Sequence, residues 1–92
     1  MTPVTPTHSV TYDGATVNVY HADTGQGLLR HEHYYSHLTM CHAGSIKVSN
    51  ARTSLVMTKG TQPVNLTANE WHEIEALEDG TVFANVFAEG KE

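Results

Sequence analysis

Four of the seven histidines in this 92-residue chain, His31, His33, His37 and His42, fall within twelve residues of one another. They lie in the stretch GLLRHEHYYSHLTMCHAG, from Gly27 to Gly44. Neutral imidazole is the commonest protein ligand for divalent Zn, Cu, Fe and Ni, so such a density points to metal chemistry before any other. His31 and His33 are two apart, and in an extended chain both rings leave the same face. The spacer Tyr34-Tyr35-Ser36 can hold a bulge or tight turn that brings His37 to the same point. Cys41 lies four residues beyond His37, about 13 Å along a strand at ~3.3 Å per residue, and reads as a core thiol. His8, His21 and His42 have no partner at ligand spacing and are expected on an outer face or on the N-terminal arm. Glu32, between two candidate ligands, should point away from the metal. Arg30 is either a solvated rim charge or a contact for an anionic substrate, and Tyr34, Tyr35 and Trp71 are either packing groups or substrate contacts.

Short strands must position these rings. Ser9 to Tyr12 and Ala15 to Tyr20 are rich in Val, Thr and Tyr and flank Asp13-Gly14, a strong hairpin-turn signal. Residues 23–27 (DTGQG) read as a loop that delivers the chain to the histidines. Tyr35 to His42, Ile46 to Ser49, Ser54 to Thr58 and Val64 to Leu66 follow as short strands, and Thr67-Ala68-Asn69 as a turn. Glu70 to Ala76 alternates, with His72, Ile74 and Ala76 on one face and Trp71, Glu73 and Glu75 on the other. The two carboxylates mark the second face as outer. Glu78-Asp79-Gly80 is a turn and Thr81 to Ala88 the last strand. No window repeats its apolar residues at helical spacing. Eight or so short strands at regular intervals imply a sandwich or barrel.

The composition narrows the function. Ninety-two residues suffice for one core, set here at residues 8–90 behind an arm over residues 1–7, where Pro3 and Pro6 favour a loose segment or an edge. The formal charge is -5, with Arg30, Lys47, Arg52, Lys59 and Lys91 as the permanent cations, and a phosphate backbone would find no basic patch. Nucleic acid is not an expected partner. The single cysteine permits no internal disulfide, and the start MTPVTPTHS has neither the basic nor the apolar part of a secretory signal. No apolar run approaches membrane-spanning length, so a cytoplasmic protein is expected.

The spacing His31-x-His33-x3-His37-x6-Gly44 resembles the first motif of the cupins, HxHx3-4Ex6G, with histidine where that family usually has glutamate. The second cupin motif, Gx5PxGx2Hx3N, is matched at His72. Asn69 stands at its second glycine, Thr67 at its proline, Ala76 at its asparagine, and Gly60 lies one residue off its first glycine. Asparagine tolerates positive φ better than other non-glycine residues, so Asn69 suits the turn. The resemblance, over residues 15–88, implies an all-β fold: a conical barrel, or jelly roll, of two antiparallel sheets. It implies one divalent transition metal inside one mouth, held by His31, His33, His37 and His72. Fe or Mn is favoured over Ni, Cu or Zn. Leu38, Met40 and His42 would point toward the partner sheet or a subunit contact, and exposed sheet edges lead us to expect a homodimer.

With His37 in place of a carboxylate, a divalent ion keeps its full charge, which makes it a stronger Lewis acid that is harder to oxidise. Four ligands would leave two adjacent octahedral positions open. No nucleophile-base pair and no phosphate loop accompanies the histidines, so any catalysis belongs to the metal. The expected function is a small metal-dependent, dioxygenase-like oxidoreductase acting on a small organic acid, diketone or alkene-like substrate. The alternatives are a non-catalytic protein that binds the metal or a small anion, and a non-redox Lewis-acid isomerase or lyase.

Overall fold

The computed structural model describes residues 1–88 of the chain. Residue 89 and residue 90, placed above at the end of the domain, lie outside the described residues. Ten strands occur among the described residues: β1 (Thr2–Pro3), β2 (His8–Tyr12), β3 (Ala15–Ala22), β4 (Gln26–His31), β5 (His37–Ala43), β6 (Ser45–Asn50), β7 (Ser54–Thr58), β8 (Val64–Leu66), β9 (His72–Ala76) and β10 (Thr81–Ala88). They form two five-stranded sheets, ordered β1-β4-β9-β6-β7 and β2-β3-β10-β5-β8. Asp13 and Gly14 both have positive φ, 51° and 84°. That pair of conformations is what a two-residue hairpin requires, and it sets the register Tyr12 opposite Ala15.

The core lies between the sheets and follows the alternation of the sequence. In β10, Thr81, Phe83, Asn85 and Phe87 are buried, and in β9 His72, Ile74 and Ala76 are. Ile46, Met57, Ile74 and Phe83 are wholly excluded from solvent. Removing each of these side chains from water stabilises the fold by about 1.5–3 kcal/mol. Tyr20 stacks on Phe83 at 4.8 Å between ring centroids. Cys41 is buried and unpaired in the core, its thiol donating to the Ala43 carbonyl at 3.4 Å.

Of the two readings of the first residues the structure takes the edge: β1 pairs in parallel with β4, and the Val4 amide donates to the Gly27 carbonyl at 2.9 Å. Other expectations need correcting. The loop before the histidines is shorter than read, because Thr24 and Gly25 (φ 83°) make a turn closed by the Gln26 amide on the Asp23 carbonyl, and Gly27 is already inside β4. Gly27 is there for proximity: a Cβ at this position would collide with the Ile74 carbonyl of β9. β5 begins at His37 instead of Tyr35, and β9 at His72 instead of Glu70. Of the two directions expected for Leu38, Met40 and His42, the partner sheet is excluded, since His37, Thr39 and Cys41 occupy the interior side of β5.

Candidate metal centre

Three strand ends meet at one mouth. His31 closes β4, His37 opens β5 and His72 opens β9, with His31 directly opposite His72 across the β4–β9 pair. His33 sits in the connection that follows β4, and two hydrogen bonds tie that connection to the turn before β9. The Asn69 amide donates to the His33 carbonyl at 2.8 Å, and the Ala68 amide to Ser36 Oγ at 3.0 Å. Asn69 holds φ 65°, the left-handed conformation that asparagine tolerates. This turn therefore sets both His33 and His72.

The four rings converge. The centroid of His72 lies 4.5 Å from that of His31, 4.9 Å from His33 and 5.1 Å from His37. His31, His33 and His72 bring ring nitrogens within 4.8 Å of one another, and His37 Nε2 lies 3.3 Å from His72 Nε2. Nitrogens bound to a common ion at about 2.1 Å lie roughly 3.0 to 4.2 Å apart, so the group of His31, His33 and His72 is near the required span, and His37 stands outside that group, in contact with it through His72.

The tautomers follow from the other ring nitrogen. Nδ1 of His31 is 2.6 Å from the Leu29 carbonyl, that of His33 3.0 Å from Tyr35, and that of His72 3.2 Å from Glu70. A carbonyl only accepts, so each Nδ1 carries the proton. His37 Nδ1 faces the Leu38 carbonyl at 3.5 Å and Thr39 Oγ1 at 3.3 Å. Thr39 Oγ1 itself donates to Asn85 Oδ1 at 2.7 Å, which leaves its lone pairs for His37. In these tautomers each neutral ring presents an Nε2 lone pair to the mouth, those of His37 and His72 facing each other at 3.3 Å, and a backbone contact at Nδ1 orients the ring, as in metal-binding histidines generally. The donor set fits a divalent metal.

Burial acts in the same direction. It pushes the pKa values of His37 and His72 down to about 4, helped by the neighbouring imidazoles, and lowers that of His33 as well. An unfolded imidazole titrates near about 6.5. Between those values the unfolded chain binds more protons than the folded one, so stability is full above pH ~6.5 and falls as the pH drops toward 4. The metal-free protein should accordingly melt at a lower temperature at pH 5 than at pH 7. The double substitution His37→Gln, His72→Gln should flatten that slope; an equal slope in both proteins would count against burial as its source.

The remaining candidates take ordinary places. Glu32, His8, His21 and His42 are exposed. The Arg30 guanidinium stacks over Trp71 at 3.8 Å, and Arg52 makes a 2.7 Å ion pair with Glu70. Tyr35 lies flat on His33, 4.2 Å between centroids, and lines a cavity of about 190 Å³ together with His31, His33 and His37. Leu28 and Phe87 form apolar wall, and Asn18, Tyr20 and Asn85 supply polar groups absent from the sequence reading. They did carry a signal: Asn85 falls in the apolar phase of β10, between Phe83 and Phe87, and Asn18 shares its phase with Thr16 and Tyr20.

An all-β pair of opposed sheets with histidines gathered at one mouth defines the class: the chain has the cupin, or double-stranded β-helix, fold. No protein-family model and no curated protein sequence matches it. Solved structures do. KdgF from Halomonas sp. superposes with a TM-score of 0.79 at 16% identity, over 88% of this chain and 76% of that one. A cupin 2 domain-containing protein from Halorhodospira halophila gives 0.81 at 14% identity, over 92% and 64%. A conserved protein with a double-stranded β-helix domain from Klebsiella pneumoniae gives 0.76 at 18% identity, over 96% and 78%. At such identities the likeness speaks to the fold alone.

Proposed function

We propose that the chain binds one divalent transition metal through Nε2 of His31, His33, His37 and His72, and that it is a small metal-dependent oxidoreductase of dioxygenase-like type. The observation that carries the metal reading is that Nδ1 of each ring lies against an oxygen atom, an arrangement that turns the Nε2 atoms toward one another at the mouth. A bound Fe or Mn ion would supply Lewis acidity and a redox couple there. The protein's own part is to hold the rings, admit a small organic acid or diketone to the adjoining cavity, and shield it with Leu28, Tyr35 and Phe87. No carboxylate, lysine or arginine lines that cavity, so the protein itself brings no strong general base.

Oxygen uptake is the test. The Fe- or Mn-loaded protein should consume O2 with a member of a panel of small acids and diketones, and the Zn-loaded protein should not, because Zn2+ has no accessible redox change. Equal turnover by both forms without oxygen uptake would replace this reading with Lewis-acid catalysis. Tight binding without turnover would favour a binding protein.

The outer face of the β2-β3-β10-β5-β8 sheet supports a homodimer. Its outward positions include Val10, Tyr12, Val17, Leu38, Met40 and Val82, and none in these strands is Asp, Glu, Lys or Arg. The other sheet turns Lys47, Glu73 and Glu75 outward. With strands of 5, 8, 8, 7 and 3 residues at about 3.3 Å per residue and about 4.8 Å between strands, the face measures roughly 500 Å². That is somewhat over half of the ~800 Å² per partner of a standard interface, so flanking loops would have to contribute the rest. Sedimentation at micromolar concentration should show a dimer that Leu38→Glu with Met40→Lys converts to monomer; a monomeric wild-type protein would contradict it.

A further inference from the structure

Two hydrogen bonds orient the carboxamides that line the cavity. Thr39 Oγ1 donates to Asn85 Oδ1 at 2.7 Å, and Ser9 Oγ donates to Asn18 Oδ1 at 2.7 Å. Both amide oxygens are thus engaged, and the amide nitrogens are the ends left to face Tyr20 in the cavity that the three residues line together. A carboxamide nitrogen only donates. Toward Tyr20 these nitrogens can therefore act only as donors, and neither offers an acceptor for the Tyr20 proton. Burial raises the Tyr20 pKa, so the hydroxyl keeps that proton at neutral pH. Asn85 is 6% exposed and Tyr20 7%, yet both line the cavity, beside three of the four histidines.

We infer that Tyr20, Asn85 and Asn18 form a neutral donor cluster that receives the distal end of the ligand, and that the ligand is a short molecule with oxygen acceptors at both ends. This rests on the metal reading above for the proximal end, where a carboxylate would meet the ion. The distal end is a carbonyl or carboxylate oxygen. No cationic side chain lines the cavity, so the distal oxygen is recognised by N–H and O–H groups alone. A cavity of about 190 Å³ has room for roughly six waters at ~30 Å³ each, which suits a ligand of a few carbons. Because Thr39 joins Asn85 to His37, the distal group and one metal-facing ring are also held in register.

Calorimetry on Zn-loaded protein tests this with three probes of similar length: succinate and 4-oxopentanoate, which have a distal acceptor, and pentanoate, which lacks one. The first two should bind at least about tenfold more tightly than pentanoate, the scale of one or two net hydrogen bonds. Tyr20→Phe should reduce that preference while leaving zinc affinity and the far-ultraviolet spectrum unchanged, and Asn85→Leu should reduce it whatever its effect on zinc, since the preference is a ratio measured within one variant. Side-chain amide signals of Asn18 and Asn85 should shift with succinate, and not with pentanoate, at millimolar concentration even in metal-free protein. Failure to bind zinc would overturn the metal reading and leave the amide shifts to decide the distal one. Equal affinity for all three probes, or a preference that survives both substitutions, would overturn the donor cluster.

Discussion

Replacing His72 by alanine should lower the affinity for a divalent metal by more than about 100-fold. Loss of groups that merely orient a ligand already lowers affinity by roughly 10- to 100-fold, and His72 is placed as a ligand itself. It is the hub of the cluster: its ring lies within 5.1 Å of each of the other three, and its Nε2 is 3.3 Å from that of His37. His72 is also 1% exposed, so the truncation leaves a void that could lower stability by itself. His31→Ala provides the control, because His31 is only half-buried and its loss should weaken the metal with little effect on the melt. Titration of the chelator-treated protein with Zn2+ or Mn2+ checks both. Unchanged affinity in both variants would remove these residues from the site.

The second large effect is expected at Gly27. A methyl group there would collide with the Ile74 carbonyl, and β9 cannot retreat because β6 pairs with its other edge. Gly27→Ala should therefore destabilise the protein by about 3 kcal/mol or more, at the upper end of overpacking penalties. For a domain of this size that is a fall in melting temperature of at least roughly 12 °C. Gly80→Ala is the comparison. Gly80 has φ 71° with open space around its α-carbon, so only the conformational cost of ~1–2 kcal/mol applies. Urea denaturation giving the same loss for both would show that β4 and β9 can separate without penalty. Since these strands carry His31 and His72, Gly27→Ala should weaken metal binding too.

Much of this was legible in the chain because its signals are local. Asp13-Gly14 announces a hairpin, the alternation HEIEA assigns an inner face, and the histidine spacing selects the residues that meet at the mouth. Asn69 at positive φ was legible for the same reason, since one residue type narrows one backbone conformation. What escaped depends on partners far along the chain. Nothing in Met1 to Pro6 says that β1 will add to β4, because a two-residue edge strand is fixed by its neighbour's free backbone groups. Gly27 reads as loop until β9 is known to press against it. The Asn18, Tyr20 and Asn85 cluster is hidden for a related reason. A polar residue in an apolar phase shows that something unusual is buried, but the partner that explains it lies on another strand.

The central claim, that the histidines at the mouth bind one divalent metal, is tested most directly by X-ray absorption on protein loaded with one equivalent of Zn2+ or Mn2+. The expected spectrum has a first shell of nitrogen and oxygen scatterers at about 2.0–2.3 Å. Its outer-shell features should require at least three imidazoles, and four if His37 joins His31, His33 and His72. A spectrum fitted by one imidazole or none, with the ion held by carboxylates or water, would contradict the account.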